Sequence, residues 1–477
     1  MSNESMILTA VFLPVLGAFV LPLISKVSES ARNIFALSFV LGSLVCSLFL
    51  LPHVLNGETI TAVHSQALSM NFFFADKLAV FMALVSSLVG SIIVLYSFGY
   101  IKNYEHRDEY YLMVVLFLGS MMGIVYSRNL ISLYLFWEIT AIACWRLIGF
   151  FREKEYVLRA DKAFLITVFG ALVMLIGFLD VYGTAGSFDL GVLSHVHISN
   201  TAVLLILFGI LSKSATLPLH TWLPDAGVAP SPITALLHAA VLVKIGVYVF
   251  ARLFVSTFEV DQIWHTIIPI IAGVSALVSA GAAMIDNDMK RIIAYSTISQ
   301  IGFIFLGLSI GNEIGLAGGL LYILMHGMAK AGLFLCAGII EHSSHTKDIR
   351  KMGGLLSKMP VTAIVFLLCS FSVMGIPPLG GFFAKYLVIN GAVASGNLWI
   401  TFTFLFGAVL TIIYLFRLFA LIFMGTPNYE HAEKEGTPVM LFSVALLAVL
   451  SLAGGIFINY PADVVYSTVQ QMMGVIK

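Results

Sequence analysis

The chain contains 477 residues, of which 60% are hydrophobic and only 10% are charged, and its mean hydropathy is +1.00. A soluble globular chain is about 45–50% apolar and about 25% charged. This composition therefore excludes an ordinary soluble domain and indicates an integral membrane protein. The formal net charge is zero and no basic stripe is present, which argues against nucleic acid as a partner.

Fourteen apolar segments approach the length of roughly 20 residues that a membrane-spanning helix needs. We number them as spans 1–14 in chain order, and they cover residues 6–24, 33–52, 77–98, 111–127, 130–149, 163–182, 201–219, 232–254, 266–285, 291–310, 315–340, 360–391, 399–425 and 438–459. The prediction is an all-α polytopic membrane protein with a single membrane domain over residues 1–477.

The charges of the connections orient these spans, because cytoplasmic loops carry an excess of Lys and Arg. With both termini outside, the inner connections hold Lys26, Arg32, Lys102, Arg107, Arg152, Lys154, Arg159, Lys162, Lys290, Arg291, Lys347, Arg350, Lys351, Lys358 and Lys434. The outer ends hold only Lys77, Arg128, Arg252 and Lys477. We therefore predict a multi-pass protein of the cytoplasmic membrane with both termini outside.

Two spans contain helix-breaking residues. Span 7 holds Pro218, and span 12 holds Pro377, Pro378, Gly380 and Gly381. Proline removes a backbone donor and clashes with the preceding turn, and broken helices occur at membrane depth where they line protein or a cavity. Spans 7 and 12 lie five apart, so two five-helix repeats would have opposite orientations, as in inverted-repeat transporters. The predicted units are spans 1–3 (1–110), a first repeat of spans 4–8 (111–254), a second repeat of spans 9–13 (266–425), and span 14 with a C-terminal tail (438–477).

Four lysines lie inside apolar spans, namely Lys213, Lys244, Lys330 and Lys385. A charge near the centre of a bilayer costs about 2.5–3.5 kcal/mol on insertion scales, which a purely structural protein has little reason to bear. Buried lysines readily change protonation state and serve as proton carriers. This pattern predicts ion translocation.

Glu138 is the only acidic residue deep within a span, about 12 Å along its helix. A carboxylate at that depth needs a cationic partner, and Lys213 is the natural candidate because both residues belong to the first predicted repeat. A static pair would only position helices. A switchable pair would release the lysine proton when it opens, and we favour this second interpretation.

Other polar residues within the spans extend the series that begins with Glu138 and Lys213. Lys244 lies at mid-helix, where it is either a relay or a structural donor to backbone, and His238 precedes it by six residues. His326 and Lys330 are four residues apart and share a helix face, with Tyr322 one turn away. We expect His326 and Lys330 to exchange a proton through water. Lys385 is predicted to be an exit station, with snorkelling to the outer surface as the alternative.

Several further polar residues carry weaker signals. Arg146 reaches the inner interface or binds there, Arg417 binds a neighbouring loop or subunit, and Asp225 ties a cytoplasmic loop. Asp180 and Glu341 lie at span ends and are expected to be solvated. The four cysteines lie far apart in apolar segments without metal-binding spacing, and no nucleotide-binding glycine motif is present. We expect no metal site, cofactor or catalytic residue in this chain.

Longer motifs add a family resemblance. The run LPLHTWLPDA at 217–226 is followed by APSPI at 229–233, and FWE at 136–138, DMKRIIAYSTISQ at 288–300 and GIPP at 375–378 agree with them. Together they resemble the antiporter-like subunits of respiratory complex I, of energy-converting membrane-bound hydrogenases and of Mrp-type sodium/proton antiporters. The resemblance implies fourteen helices, two inverted repeats and a hydrated polar axis formed by Glu138, Lys213, Lys244, His326, Lys330 and Lys385.

The preferred hypothesis is a proton-translocating subunit of a redox-driven complex of the hydrogenase or complex I type. Protons would pass through Lys244, His326 and Lys330 to Lys385, while Glu138 modulates Lys213. Partners would be other membrane subunits, further antiporter-like subunits among them, and peripheral redox subunits holding iron–sulfur clusters or a nickel–iron centre. The alternatives are the D-type subunit of an Mrp antiporter, which moves H+ and Na+ without redox chemistry, and a membrane scaffold for a partner transporter.

Overall fold

The computed structural model describes residues 2–65, 70–426 and 435–474, so Lys434 and Lys477 of the orientation argument and the last three residues of the predicted tail lie outside it. Helices dominate the described chain. They are α1 (Asn3–Ser25), α2 (Glu29–Leu55), α3 (Lys77–Tyr100), α4 (Arg107–Val125), α5 (Leu130–Ile148), α6 (Lys154–Ala185), α7 (Asn200–Lys213), α8 (Ser231–Val255), α9 (Trp264–Ile285), α10 (Met289–Ser309), α11 (Glu313–Ser344), α12 (Pro360–Met374), α13 (Gly380–Ala394), α14 (Leu398–Phe423), α15 (Pro438–Ile456) and α16 (Asn459–Met472).

Within the described residues, twelve helices are long and apolar enough to cross a membrane. They correspond to spans 1–6, 8–11, 13 and 14. Short polar side chains start many of them: Asp76 accepts a hydrogen bond from Ala79 N at α3, and Asn129 from Ser132 N at α5. The prediction of an all-α polytopic membrane protein is confirmed, whereas the two inverted repeats stay a prediction.

Both predicted helix breaks are present. α7 ends at Lys213, and the chain passes through Pro218 before a short helical turn at Trp222–Asp225. α12 ends at Met374, and Pro377 and Pro378 lie in the segment that leads to α13. Gly375 closes α12 with a φ of 85°, a left-handed conformation that favours glycine.

The two glycines predicted in the second break lie at its end, where the helix resumes. Gly380 and Gly381 are the first residues of α13. A Cβ on Gly381 would lie 1.9 Å from the carbonyl oxygen of Ser372 in α12. This glycine therefore allows the two half-helices to approach each other closely.

α8 is buried along its whole length and is irregular. It contains two π-helical stretches, Leu236–Ala240 and Ala251–Val255, with a bend at Val241 between the first stretch and Lys244. π-helical turns are rare and occur frequently at functional sites. His238 lies in the first stretch, so the chain departs from regular helical geometry between His238 and Lys244.

The helices form a buried centre and an apolar perimeter. α3, α8, α10 and α11 are buried almost throughout, whereas α1, α2, α6, α14 and α15 expose large hydrophobic side chains such as Phe49, Phe169 and Phe402. In a bilayer this exposed surface faces lipid. Three of the six residues of the predicted axis, Lys244, His326 and Lys330, lie on the buried helices α8 and α11.

Three of the predicted inner connections meet at one face of the bundle. A cavity of 990 Å³ is lined by Asn103, Asp288 and Lys347 from three predicted inner connections. At its rim, hydrogen bonds from Arg350 lower the pKa of Asp348 to about 2, so this carboxylate stays ionised at neutral pH. The assignment of this face to the cytoplasm stays a prediction.

The opposite face carries elements that the sequence analysis missed. An antiparallel hairpin joins β1 (Ile60–Ser65) to β2 (Met70–Ala75), and the short strand β3 (Val196–His197) pairs in parallel with β4 (Phe258–Glu259). The helix α16 packs against α3 and α11, and its Ser467 accepts a hydrogen bond of 2.7 Å from Lys77 Nζ of α3. The region predicted as a C-terminal tail is therefore largely helical.

A buried ion pair joins the start of α3 to the C-terminal end of α8. Both guanidinium NH2 groups of Arg252 donate to the carboxylate of Asp76, at 2.6 and 2.7 Å, and Arg252 Nε donates to the Tyr248 hydroxyl. Arg252 was predicted at an outer span end, but it is only 4% exposed. A bidentate pair of this kind fixes the position of α8 relative to α3.

We expect Asp76→Ala to destabilise the protein by about 3–5 kcal/mol, because it leaves Arg252 buried without a counter-charge. The measurement is thermal unfolding of the detergent-solubilised protein. The control is Glu29→Ala, which removes an exposed ion pair with Arg107 and should cost at most about 1 kcal/mol. Equal melting temperatures for the two variants would contradict a clamping role for Asp76.

Candidate functional site

Six residues define the axis predicted from the sequence: Glu138, Lys213, Lys244, His326, Lys330 and Lys385. All except Glu138 are buried, each at most 4% exposed. Glu138 lies half-buried on α5. The axial residues come from α5, α7, α8, α11 and α13, so the packing of five helices assembles the site.

Glu138 and Lys213 are neighbours but do not form the predicted ion pair, since no nitrogen–oxygen distance between them falls within 4.0 Å. Lys213 Nζ donates to the backbone oxygen of Trp137 at 3.1 Å and lies 5.1 Å from the centre of its indole ring. The Oε1 atom of the Glu138 carboxylate is buried without a partner. Lys213 therefore bonds the residue next to Glu138 on α5 and not Glu138 itself.

Lys244 and His326 are in direct contact across α8 and α11. Lys244 Nζ lies 2.8 Å from His326 Nδ1 and donates to the backbone oxygen of Ile323 at 3.2 Å. An ammonium group can only donate, so with Lys244 charged the ring proton of His326 lies on Nε2. His326 Nε2 is buried and has no partner. The sequence analysis paired His326 with Lys330, whereas the structure pairs it with Lys244.

Lys330 points away from His326 toward α10. Its Nζ donates to Ser296 Oγ at 2.6 Å and to the backbone oxygen of Ile293 at 3.2 Å. Ser296 begins a buried group of side chains that we call the α10–α14 cluster, consisting of Ser296, Gln300, Tyr322, Thr411 and Tyr414. Lys330 is thus connected to a polar network that the sequence analysis did not identify.

The cluster is continuous through hydrogen bonds. Ser296 Oγ lies 2.9 Å from the Tyr414 hydroxyl, and Gln300 Nε2 donates to Tyr414 at 3.1 Å and to Thr411 at 3.2 Å. The Tyr322 hydroxyl donates to Gln300 Oε1 at 2.5 Å. Polar residues four apart within an apolar span, Ser296 and Gln300, were the available sequence signal for this network.

Lys385 is the last residue of the predicted axis. Its Nζ donates to the backbone oxygens of Val373 at 2.9 Å and Met374 at 3.4 Å, the last carbonyl groups of α12. It also lies 4.7 Å from the ring centre of Phe303 and 5.9 Å from that of Tyr322. The alternative that Lys385 snorkels to the surface is wrong, because the side chain points inward; its role as an exit station stays a prediction.

His238 lies beside the axis without a hydrogen-bond partner. Both ring nitrogens are buried and unpaired, and the ring packs 4.4 Å from the ring of Phe334. Buried polar atoms that lack a protein partner are typical positions for ordered water. His238 and His326 Nε2 therefore mark positions where water can enter the axis.

The weaker sequence signals have clear outcomes. Arg146 pairs with Glu109, and Arg417 binds Asn287 in a neighbouring loop. Asp225 ties its loop as predicted, through ion pairs with Lys162 and Arg291.

The expectation that Glu341 is solvated holds only in part, because its side chain is 23% exposed and also forms an ion pair. Its carboxylate lies 2.6 Å from the Nζ of Lys290, a lysine that is 1% exposed. Lys290 was assigned to an inner connection, but it lies in the first turn of α10 and is buried against Glu341 of α11. Glu341 lines the 990 Å³ cavity at the same time.

A family model described as "NADH:quinone oxidoreductase/Mrp antiporter, TM" matches residues 127–411. The chain belongs to this family. The match runs from the start of α5 into the first half of α14 and includes all six axial residues. The resemblance inferred from the motifs is therefore confirmed.

Relatives and solved structures agree with the family. The chain is 32% identical to the A1 subunit of the Na(+)/H(+) antiporter of Staphylococcus aureus and to that of Staphylococcus haemolyticus (strain JCSC1435), over 95% of its own length. It spans only 61% of the length of these relatives. Its fold is similar to chains of the Mrp complex from Dietzia sp. DQ12-45-1b (TM-score 0.90, 22% identity, 99% of this chain and 98% of that chain) and of the membrane-bound sulfane sulfur reductase, an archaeal respiratory membrane complex (0.89, 24%, 99% and 98%).

We expect Ser296→Ala to destabilise the protein by about 1–3 kcal/mol, because it removes the hydroxyl that accepts from the buried Lys330 ammonium. The matched control is Ser443→Ala, since Ser443 is also fully buried but bonds only the carbonyl of Val439 in its own helix. Thermal unfolding of both variants measures the difference. A smaller loss for Ser296→Ala than for Ser443→Ala would show that Ser296 does not support Lys330.

Proposed function

We propose that this chain is a proton-translocating subunit of a multisubunit Na+/H+ antiporter of the Mrp type. The observation that carries the proposal is the 2.8 Å contact between Lys244 and His326, two titratable groups buried at mid-membrane on different helices. Two such groups can pass a proton between them, whereas a scaffold gains little from burying both. The 32% identity to the A1 subunit of a Na(+)/H(+) antiporter over nearly the whole chain supports the antiporter assignment.

The proposed cycle starts at Glu138 and Lys213. In the observed arrangement the ammonium of Lys213 is held by a neutral carbonyl, which binds a protonated lysine without locking it in that state. Movement of Glu138 toward Lys213 would stabilise its charge, and movement away would favour release of its proton. The half-buried position of Glu138 on α5 leaves room for such a movement.

Protons then move laterally. Lys244 delivers a proton to His326 Nδ1, and the ring releases the proton on Nε2 to water, so one bond to hydrogen forms as another breaks. Lys330 receives the proton and Lys385 passes it out of the membrane. His238 and Tyr322 adjoin this route and act as possible stations along it. The subunit makes and breaks no bond of a chemical substrate.

The proposed partners are other membrane subunits of the same complex, further antiporter-like chains among them, with H+ and Na+ as the transported ions. From the sequence, this alternative was the D-type subunit. The relatives are A1 subunits instead, so we propose that the chain corresponds to the part of an A1 subunit with which it aligns.

The second candidate is the redox-driven complex preferred from the sequence. The similarity in fold to a chain of the membrane-bound sulfane sulfur reductase favours it. In that case iron–sulfur clusters, and nickel–iron in a hydrogenase-type complex, would reside in partner subunits. The two solved structures do not separate the candidates, with TM-scores of 0.90 and 0.89. The 32% identity to an antiporter subunit over 95% of this chain makes the redox-driven complex the weaker candidate.

The composition of the native complex separates these candidates. We expect mild solubilisation and affinity purification through a tag on this chain to recover small hydrophobic subunits and no iron or nickel. Mass spectrometry and elemental analysis provide the readout. Stoichiometric iron together with a peripheral iron–sulfur subunit would replace the antiporter assignment with the redox one.

We expect Lys244→Ala to lower Na+-driven proton transport by about a hundredfold, since one positioned proton-transfer group typically contributes that much. Transport is measured as dissipation of a pH gradient in proteoliposomes that contain the purified complex. Glu138→Ala should also lower it, and Lys102→Ala, an exposed lysine, serves as control. Full activity of both Glu138→Ala and Lys244→Ala would refute the axis, and intact transport in Lys213→Ala would favour the scaffold.

A further inference from the structure

Neutral groups surround the ammonium of Lys385. Its helix, α13, packs mainly against α10, α11, α12, α14 and α15. Of these six helices only α11 contains carboxylates, namely Glu313 in its first turn and Glu341 in its last. Among the described residues, none of these helices offers Lys385 a carboxylate partner within 4.0 Å, so neutral groups must stabilise its charge.

The titratable side chains that face Lys385 come from α11 and are Tyr322, His326 and Lys330. Like charges repel, so Lys330 and a protonated His326 oppose the charge on Lys385. What holds the protonated Lys385 in place must therefore come from backbone carbonyl groups and from aromatic rings.

Two prolines free the carbonyl oxygens that bind Lys385. In a regular helix the oxygen of each residue accepts from the N–H group four residues later. The residues four positions after Val373 and Met374 are Pro377 and Pro378, which have no N–H group. Lys385 Nζ donates to both oxygens, at 2.9 and 3.4 Å, and so replaces the two missing amides. These oxygens accept from a protonated lysine and from a neutral amine alike.

An aromatic ring adds a contact that does depend on protonation. Lys385 Nζ lies over the ring of Phe303, 4.7 Å from its centre. The negative face of an aromatic ring attracts a cation, and this attraction is lost when the amine is neutral. Phe303 is fully buried and packs nearly at right angles to Phe404 and Tyr322, with ring centres 4.8 and 6.4 Å away. These neighbours fix the orientation of the ring.

We propose that Phe303 is a positioning residue, whose ring holds the side chain of Lys385 in its inward position as long as the lysine is protonated. The inference rests on the proposed function, because it assigns a task at the last station of the route. The ring prevents the ammonium group from swinging to the outer surface with its proton. Lys385 therefore gives its proton to water from the inward position, where an N–H bond breaks as an O–H bond forms.

Fluorination of this ring tests the proposal, because fluorine withdraws electrons from the ring face and changes the shape of the ring little. Amber suppression replaces Phe303 in the complex by its 4-fluoro, 3,5-difluoro or 3,4,5-trifluoro analogue. We expect the melting temperature of the solubilised complex to fall stepwise with the number of fluorines, by about 2 °C in total.

Transport provides the second readout. A weaker attraction for the ammonium group lets Lys385 lose its proton at lower pH. The alkaline limb of the pH profile of Na+-driven proton transport in proteoliposomes should therefore move toward acid, by about one pH unit for the trifluoro ring.

Phe366 offers a matched control. It is fully buried in α12 and packs 5.4 Å from the ring of Phe423, and no cation lies over its ring within the part of the chain that the structure describes. The same fluorinated series at Phe366 should change neither readout in proportion to the number of fluorines. The series at Phe303 is also repeated with Lys385→Met, which keeps the length of the side chain and removes its charge. There the melting temperature should not depend on fluorination.

A melting temperature that is independent of fluorination with Lys385 present, or that falls equally in Lys385→Met, would overturn the proposal, since the ring would then only fill space. A stepwise fall in melting temperature with an unchanged pH profile would overturn it as well, because the contact would then be purely structural. The melting temperatures report on the contact whether or not the axis carries protons. Failure of the proposed function shows separately, as undiminished transport in Lys244→Ala and Glu138→Ala.

Discussion

Backbone carbonyl groups hold every lysine of the axis, and the rest of the site depends on this interaction. An ammonium group without a partner is too costly to bury in apolar surroundings. Each axial lysine donates to a backbone oxygen between 2.9 and 3.2 Å away: Lys213 to Trp137, Lys244 to Ile323, Lys330 to Ile293 and Lys385 to Val373. The broken helix α12 supplies two such oxygens, since its last carbonyl groups lack intrahelical donors.

A neutral acceptor has a consequence that a carboxylate would not have. A carbonyl oxygen accepts a hydrogen bond from a protonated lysine and from a neutral amine alike, so the site tolerates both states. The bidentate pair of Arg252 and Asp76 at the outer end of α8 behaves differently, because arginine stays charged and loss of one partner strands the other. The bundle thus combines a fixed ion pair at the C-terminal end of α8 with buried lysines that are held by neutral acceptors.

The sequence predicted those features of the fold and the site that depend on a single span. Hydropathy located the membrane helices, proline located both breaks, and the cost of burying charge identified the four lysines and Glu138. It did not predict which side chains meet across helices. His326 binds Lys244 rather than Lys330, Lys290 becomes buried against Glu341, and Gln300 bridges α11 and α14, all because of packing between segments far apart in the chain. The π-helical stretches of α8 also leave no periodic pattern, since the whole helix is apolar and buried.

Because the bundle has a buried centre and an apolar perimeter, the residues of the axis differ in how far they are exposed to their surroundings. α8 and α11 are enclosed by other helices, so the polarity around Lys244, His326 and Lys330 is set by protein atoms and not by the lipid composition of the membrane. Glu138, on α5, is the one axial residue that is not buried. A change of charge or polarity at the flank of the bundle therefore acts most directly on one end of the row, and the remaining stations respond to it only through their neighbours.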